Sequence, residues 1–156
     1  MERFVAPPRD YMTKAILLQY VKKYRTGIIA TQSPSGNPEA ALVAIAISDQ
    51  LELIFDTVKS SRKWQNLQHS TRIAVVIGGW DGSETTLQYE GIADEPTGNE
   101  LERIREIYFN TFPDGRDRLK WQGITYFRTR PTWIRYSDFN QNGSIVEYTA
   151  QELMNL

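Results

Sequence analysis

The sequence predicts a mainly β fold with flanking helices, in which six to seven short antiparallel strands close into a complete or split barrel. Three observations predict it. Apolar runs of strand length recur along the chain, strong turn chemistry separates the early ones, and helical periodicity is confined to three segments, one ahead of the strands and two between them.

Taken in order, "TKAILLQYVKKYRTG" puts Ile16, Leu17, Tyr20, Val21 and Tyr24 on one helical stripe, and Gly27 is the expected stop. "GIIATQ" then predicts a strand and "SPSGNPEA" a turn. "ALVAIAIS", apolar and small at every position, predicts a strand buried on both faces. A tight "DQ" turn leads into "LELIFDT", which completes an expected three-stranded meander. "RKWQNLQHS" predicts a short helix and "TRIAVVIGG" another buried strand. After the loop "WDGSE", "TTLQYEGIA" alternates as a strand with one wet face. "TGNELERIREIYFNTFP" is an amphipathic helix that Thr97 or Asn99 can cap, with Leu101, Ile104, Ile107 and Tyr108 as its stripe. "GITYFRTRPTWIRYS" predicts two strands kinked at Pro131, with Tyr126, Trp133 and Tyr136 as their bulk. No repeat or linker divides the 156 residues, so one domain spans 1–156, with a core at 13–137 and a peripheral polar tail over 138–156.

Composition narrows the function. Lys and Arg total 18 against 19 Asp and Glu, which disfavours a nucleic-acid partner. No apolar run approaches the ~18 residues a membrane helix needs, and "MERFVAPPRD" lacks a signal-peptide apolar stretch, so a cytoplasmic protein with no membrane partner is expected. Cysteine is absent, which removes disulfides and thiol nucleophiles. The single histidine, His69 in "NLQHSTR", fits an exposed helix end better than a metal ligand, and no metal site is expected. Any chemistry is expected to come from a bound cofactor, and no protein catalytic residue is assigned. Carboxylates such as Asp94, Glu95, Asp114 and Asp117 fit solvated turns, and "DGRDRLKW" a wet loop or helix start.

One segment stands out against this neutral background. In "IFDTVKSSRKWQNL", three cations and two hydroxyls gather where a strand hands over to a helix: Lys59, Ser60, Ser61, Arg62 and Lys63. Cations in a first helical turn oppose the helix dipole. A phosphate bound among the N–H groups, hydroxyls and cations would turn that opposition into attraction. The competing explanation is a set of solvated cations paired with Glu52 or Asp56.

The order of "GNPEAALVAIAIS", "LELIFDT", "SSRKWQNLQHSTRIAVVIGG" and "TTLQYEGIA" resembles the pyridoxamine 5'-phosphate oxidase-like family of flavin-binding split barrels. The resemblance runs from Gly27 to Ala93, and its most specific piece is Phe55-Asp56-Thr57 followed by Ser61-Arg62-Lys63 and Leu67. It implies a split barrel that binds flavin mononucleotide (FMN) at the interface of a homodimer. Thr57, Ser61, Arg62 and Lys63, with Asp56 beside them, would hold the phosphate. Val43, Ala44 and Ile45 would lie along the ring through backbone groups, and Thr86 and Gln88 would reach it from the partner subunit. Trp80 is a candidate to cover it.

The resemblance implies an oxidoreductase that passes electrons between FMN and a small organic substrate. Two features of the true oxidases are missing. No cation stands on "AALVAIAIS", where Ala41 and Ala46 occupy the positions concerned, and the substrate-gripping Arg strand has no clear match in "PTWIRYSDF", where Arg135 is either its remnant or a surface cation beside Asp138. A deazaflavin-dependent reductase drawing on Lys59, Arg128 and Arg130, a haem-binding relative, and a non-enzymatic flavin or phosphometabolite module are the alternatives.

Overall fold

A computed structural model describes residues 12–79, 81–140 and 143–156. Eight strands form one antiparallel sheet: β1 (Thr26–Gln32), β2 (Pro38–Ala44), β3 (Ala46–Ile47), β4 (Leu53–Val58), β5 (Arg72–Gly79), β6 (Thr85–Asp94), β7 (Ile124–Asp138) and β8 (Ser144–Thr149). Four α-helices flank it: α1 (Lys14–Tyr24), α2 (Arg62–His69), α3 (Gly98–Thr111) and α4 (Ala150–Met154). Seven strands follow the order β2-β1-β5-β6-β7-β4-β3, and β8 pairs with β7. β2 and β3 thus lie at opposite ends of the path although only Ile45 separates them. The chain through Ile45, whose N–H donates to the Arg25 carbonyl at 2.9 Å, joins the two ends and curls the sheet into a split barrel.

That junction corrects two sequence expectations. "ALVAIAIS" is not one strand of a three-stranded meander: β2 pairs with β1, and β3 pairs with β4. Nor are its two faces buried, because β2 is an edge strand with Leu42 72% exposed. β5 likewise alternates between buried and exposed positions instead of being buried throughout.

β7 is a single strand rather than two. Its first half pairs with β4 and its second half with β8, so one edge changes partner between Thr129 and Trp133. Pro131, which has no N–H to give, lies in that interval, opposite a bulge at Glu90/Gly91 of β6. The tail is not peripheral: Val146 and Tyr148 of β8 and Leu153 of α4 are buried in the core.

The barrel interior holds Ile29, Val75, Ile77, Leu87, Tyr89 and the stacked pair Phe55–Phe127. α1 covers it with Leu17, Tyr20 and Val21, as its stripe predicts. The helix stops before Gly27, with Arg25 in the left-handed conformation at its end. Gly27 is needed for packing in β1 instead, since a Cβ there would meet Ile45 Cδ1 at 2.6 Å. Alternation on β4 and β7 sends Ile54 and Tyr126 to the opposite face, where Ile104, Tyr108 and Phe109 of α3 cover them. Burying each of these three α3 side chains contributes about 1.5–3 kcal/mol.

Candidate functional site

The start of α2 is set by local chemistry. Ser61 is its N-cap and accepts from the Trp64 N–H at 3.2 Å, and its hydroxyl lies 2.9 Å from the Thr57 hydroxyl at the end of β4. Ser61→Ala is expected to cost about 1 kcal/mol of stability, seen as a lower urea midpoint, because the cap bond is lost. Arg62 and Lys63 follow at once and face β2. They line a cleft of about 240 Å³ with Ile29, Thr31, Ala40 and Ala41.

One further group lines this cleft: Glu39 of β2. Its carboxylate pairs with Arg62 Nη2 at 2.7 Å and accepts from Asn66 Nδ2 at 2.7 Å. Asn66 is buried in α2 and also donates to Thr31 Oγ1 at 3.0 Å, so the acceptor side of Glu39 is held by a fixed amide. The hydrogen bond from Arg62, helped by that from Asn66, holds the Glu39 carboxyl below its usual range. The pair is therefore intact at neutral pH. Its stabilising contribution is present above the ordinary carboxylate range and is lost as pH falls through the lowered value.

Sequence reasoning missed Glu39, Asn66 and Thr31. The signal was there: Glu39, Ala41 and Val43 share one face of β2 by strand alternation, which places a lone carboxylate on an otherwise apolar face. The turn chemistry of "SPSGNPEA" concealed it, because β2 already begins at Pro38.

The basic knot is divided. Lys59 lines a different cleft with Arg105, Tyr126 and Thr97, beside α3. The expected pairing of these cations with Glu52 or Asp56 does not occur. Glu52 is held by Arg103, and Asp56 by Arg118 at 2.7 Å. Arg118 stands on a 3-10 helix over Pro113–Lys120, the segment expected as a wet loop or helix start. Thr57 and Asp56, adjacent in β4, point to opposite faces, so Asp56 turns away from the α2 cleft toward Arg118 and Tyr108. His69 is exposed in the last turn of α2, as anticipated, and among the described residues no group of acidic or histidine side chains could hold a metal.

The profile of the pyridoxamine 5'-phosphate oxidase family matches residues 13–137. The chain belongs to that family. A pyridoxine/pyridoxamine 5'-phosphate oxidase of Rubrobacter xylanophilus is 29% identical over 94 residues, 60% of this chain and 41% of that protein. The chain therefore spans less than half the length of that relative. Among solved structures, a heme binding protein from Mycobacterium smegmatis superposes with a TM-score of 0.78 at 17% identity, covering 97% of this chain and 62% of the other. A pyridoxamine 5'-phosphate oxidase-related, FMN binding protein from Nostoc punctiforme superposes with a TM-score of 0.70 at 15% identity, covering 93% and 91%. Identities this low establish a shared fold.

Within this family member, the site residues expected from sequence fall into three groups. Thr57 and Ser61 meet at the start of α2, and Arg62 and Lys63, next in the chain, line the α2 cleft. Val43 and Ala44 end β2 and Ile45 follows it, with Val43 packed on the core, Ile45 buried in it and Ala44 facing outward beside Leu42 in the alternation. Thr86 and Gln88 lie on the outer face of β6, away from the cleft. A register row crosses that outer face from Leu42 through Ile28, Val76, Gln88 and Arg135 to Glu147. Arg135 pairs with Glu147, not with Asp138. Trp80 lies outside the described residues.

Proposed function

We propose that the chain is an FMN-binding flavoprotein that works as a homodimer and exchanges electrons with a small organic substrate. The observation that carries this reading is the α2 cleft. An arginine and a lysine line it at a helix start whose cap hydroxyl, Ser61, is met by Thr57, and these are the residues the family resemblance assigns to a phosphate. Among the described residues Lys63 has no carboxylate partner, which leaves its charge for an incoming anion. One hydroxyl of the Thr57–Ser61 pair donates to the other, which leaves the second to donate to a phosphate oxygen while Ser61 keeps its cap bond, since a hydroxyl donates once and accepts twice. The flavin ring would supply the redox step. The protein's part is to hold the phosphate, fix the ring's orientation and limit water around it.

The outer sheet face supports the dimer. Leu42, Ile28 and Val76 are exposed by 72%, 49% and 45%, in one unbroken cross-strand row. Alanines 40, 30 and 74 form the next row and leave a flat surface. Apolar surface of this kind marks an interface. Thr86 and Gln88 stand on the same face, where a second copy would meet them. In a two-fold interface one substitution acts twice. Leu42→Glu is thus expected to convert a dimeric wild type into a monomer by light scattering, and an unchanged mass would reject this face as the interface.

The visible spectrum of purified protein, with mass spectrometry of what heat releases, tests the cofactor. Flavin bands and released FMN are the expected result, while a Soret band would move the reading to heme. The deazaflavin alternative is weakened by the fate of its cations: Arg128 is bound to Asp94 and Glu100, and Lys59 faces another cleft. Tight flavin retention without turnover by any electron donor would leave a binding module in place of an oxidoreductase.

A further inference from the structure

We propose that Glu39 is a tethered competitor for the bound phosphate, a carboxylate that pairs with Arg62 and has to give it up when a phosphate-bearing ligand enters. This rests on the reading of the α2 cleft as the phosphate site. The observations are geometric. Glu39 is the one acid lining a cleft whose other polar side chains are Thr31, Arg62 and Lys63. It places one oxygen 2.7 Å from Arg62 and the other 2.7 Å from the Asn66 amide, which uses the guanidinium edge nearest β2. The cross-strand register sets Glu39 directly opposite the buried Thr31, and Asn66 bridges the two, so the carboxylate is positioned by both β1 and α2. The charged group that β2 sends into the cleft is this anion.

The consequence is electrostatic. A phosphate seated between Arg62 and Lys63 lies within a few ångströms of a like charge in a partly enclosed cleft. Either the carboxylate swings out and forfeits two charge-assisted contacts, or it stays and repels the ligand. Both routes weaken phosphate binding without touching the flavin ring. Selectivity between phosphorylated and unphosphorylated ligands is thereby set lower than Arg62 and Lys63 alone would set it.

The test is a fluorescence-quenching titration of the apoprotein, wild type and Glu39→Gln, with FMN and with riboflavin, which lacks the phosphate. The glutamine is isosteric and its carbonyl still accepts from Asn66. Glu39→Gln is expected to tighten FMN binding roughly tenfold and to leave riboflavin binding unchanged, from the removal of one like charge at close range. Glu39→Ala, which removes the side-chain carboxyl and the amide contact together, should move FMN in the same direction. If both variants bind FMN as weakly as the wild type or more weakly, while the wild type prefers FMN to riboflavin, Glu39 orients Arg62 for the phosphate and the proposal is overturned, though the phosphate site stands. If no variant distinguishes FMN from riboflavin, the phosphate site itself is refuted and the proposal falls with it.

Discussion

Replacing Arg62 and Lys63 together with Ala is expected to weaken FMN binding roughly a hundredfold or more, since hydrogen bonds to a charged partner are the strong class and two are removed at once. Riboflavin binding should change little. The contrast between the two ligands isolates the phosphate, and a loss common to both would indicate damage to the fold. The fold does not depend on either side chain: Arg62 is largely exposed, and neither belongs to the core. The α2 cap is also left intact, because Ser61 and the Trp64 N–H remain. Removing two cations from the first turn should even favour the isolated helix. The double variant is therefore expected to unfold at a urea concentration near that of wild type while losing the ligand. Full FMN occupancy in the double variant would refute the phosphate assignment. The single variants should differ, because Arg62 is already engaged by Glu39 and Lys63 is not. Lys63→Ala alone should then cost the larger share of affinity, and it provides a check independent of the double variant.

What the sequence disclosed of this site follows from how local each feature is. The hydroxyl pair Ser60-Ser61 with Arg62 and Lys63 behind it is set by neighbours within a few residues and could be read directly, whereas Thr57 came in only through the family resemblance and the structure selects Ser61 as the cap. The α1 stripe is legible for the same reason, since a 3.6-residue period needs no knowledge of the partner. Glu39 was hidden because its meaning depends on Arg62 and Asn66, over twenty residues away, and on β2 starting inside an apparent turn. Leu42 and Val76 misled for another reason. Their strands are apolar on both faces, which from sequence alone means burial within one chain, whereas here one of those faces is the outer surface of the sheet. β8 was missed because "DFNQNG" ahead of it is polar and Glu147 interrupts the apolar run. Its alternation, Val146 and Tyr148 inward with Glu147 and Thr149 outward, was nevertheless present. The partner change along β7 could not be read at all, since it depends on two strands, one earlier and one later, competing for the same edge.

The same distance argument explains the ionic cluster at the far end of the barrel, whose loss should carry the largest stability effect. Arg128 of β7 is nearly buried and makes a two-pronged contact with Asp94 of β6, at 3.0 and 2.7 Å, with a third bond to Glu100 of α3 at 2.6 Å. Beside it the buried Glu52 is gripped at 3.0 and 3.1 Å by Arg103 of α3 and accepts from Ser48 at 2.7 Å. Arg128 also stands 3.7 Å from Glu52, so the two arginines share three carboxylates. The cluster fastens α3 to the β4, β6 and β7 edges over the second core. Arg128→Met keeps most of the aliphatic volume but leaves Asp94, Glu100 and Glu52 facing Arg103 and the exposed Arg130. Glu52 keeps Arg103 and solvent reaches Asp94 and Glu100, so the cost is about 1–3 kcal/mol. At a urea dependence of about 2 kcal/mol per molar for a chain of this size, the midpoint should fall by roughly 1 M. Adding Asp94→Asn to Arg128→Met should recover part of the loss, because it removes one of the stranded acids, and the shortfall from additivity measures the pair. A midpoint shift below about 0.5 M for Arg128→Met would mean that solvent compensates these acids and that the apolar contacts of Ile104, Tyr108 and Phe109 hold α3 unaided.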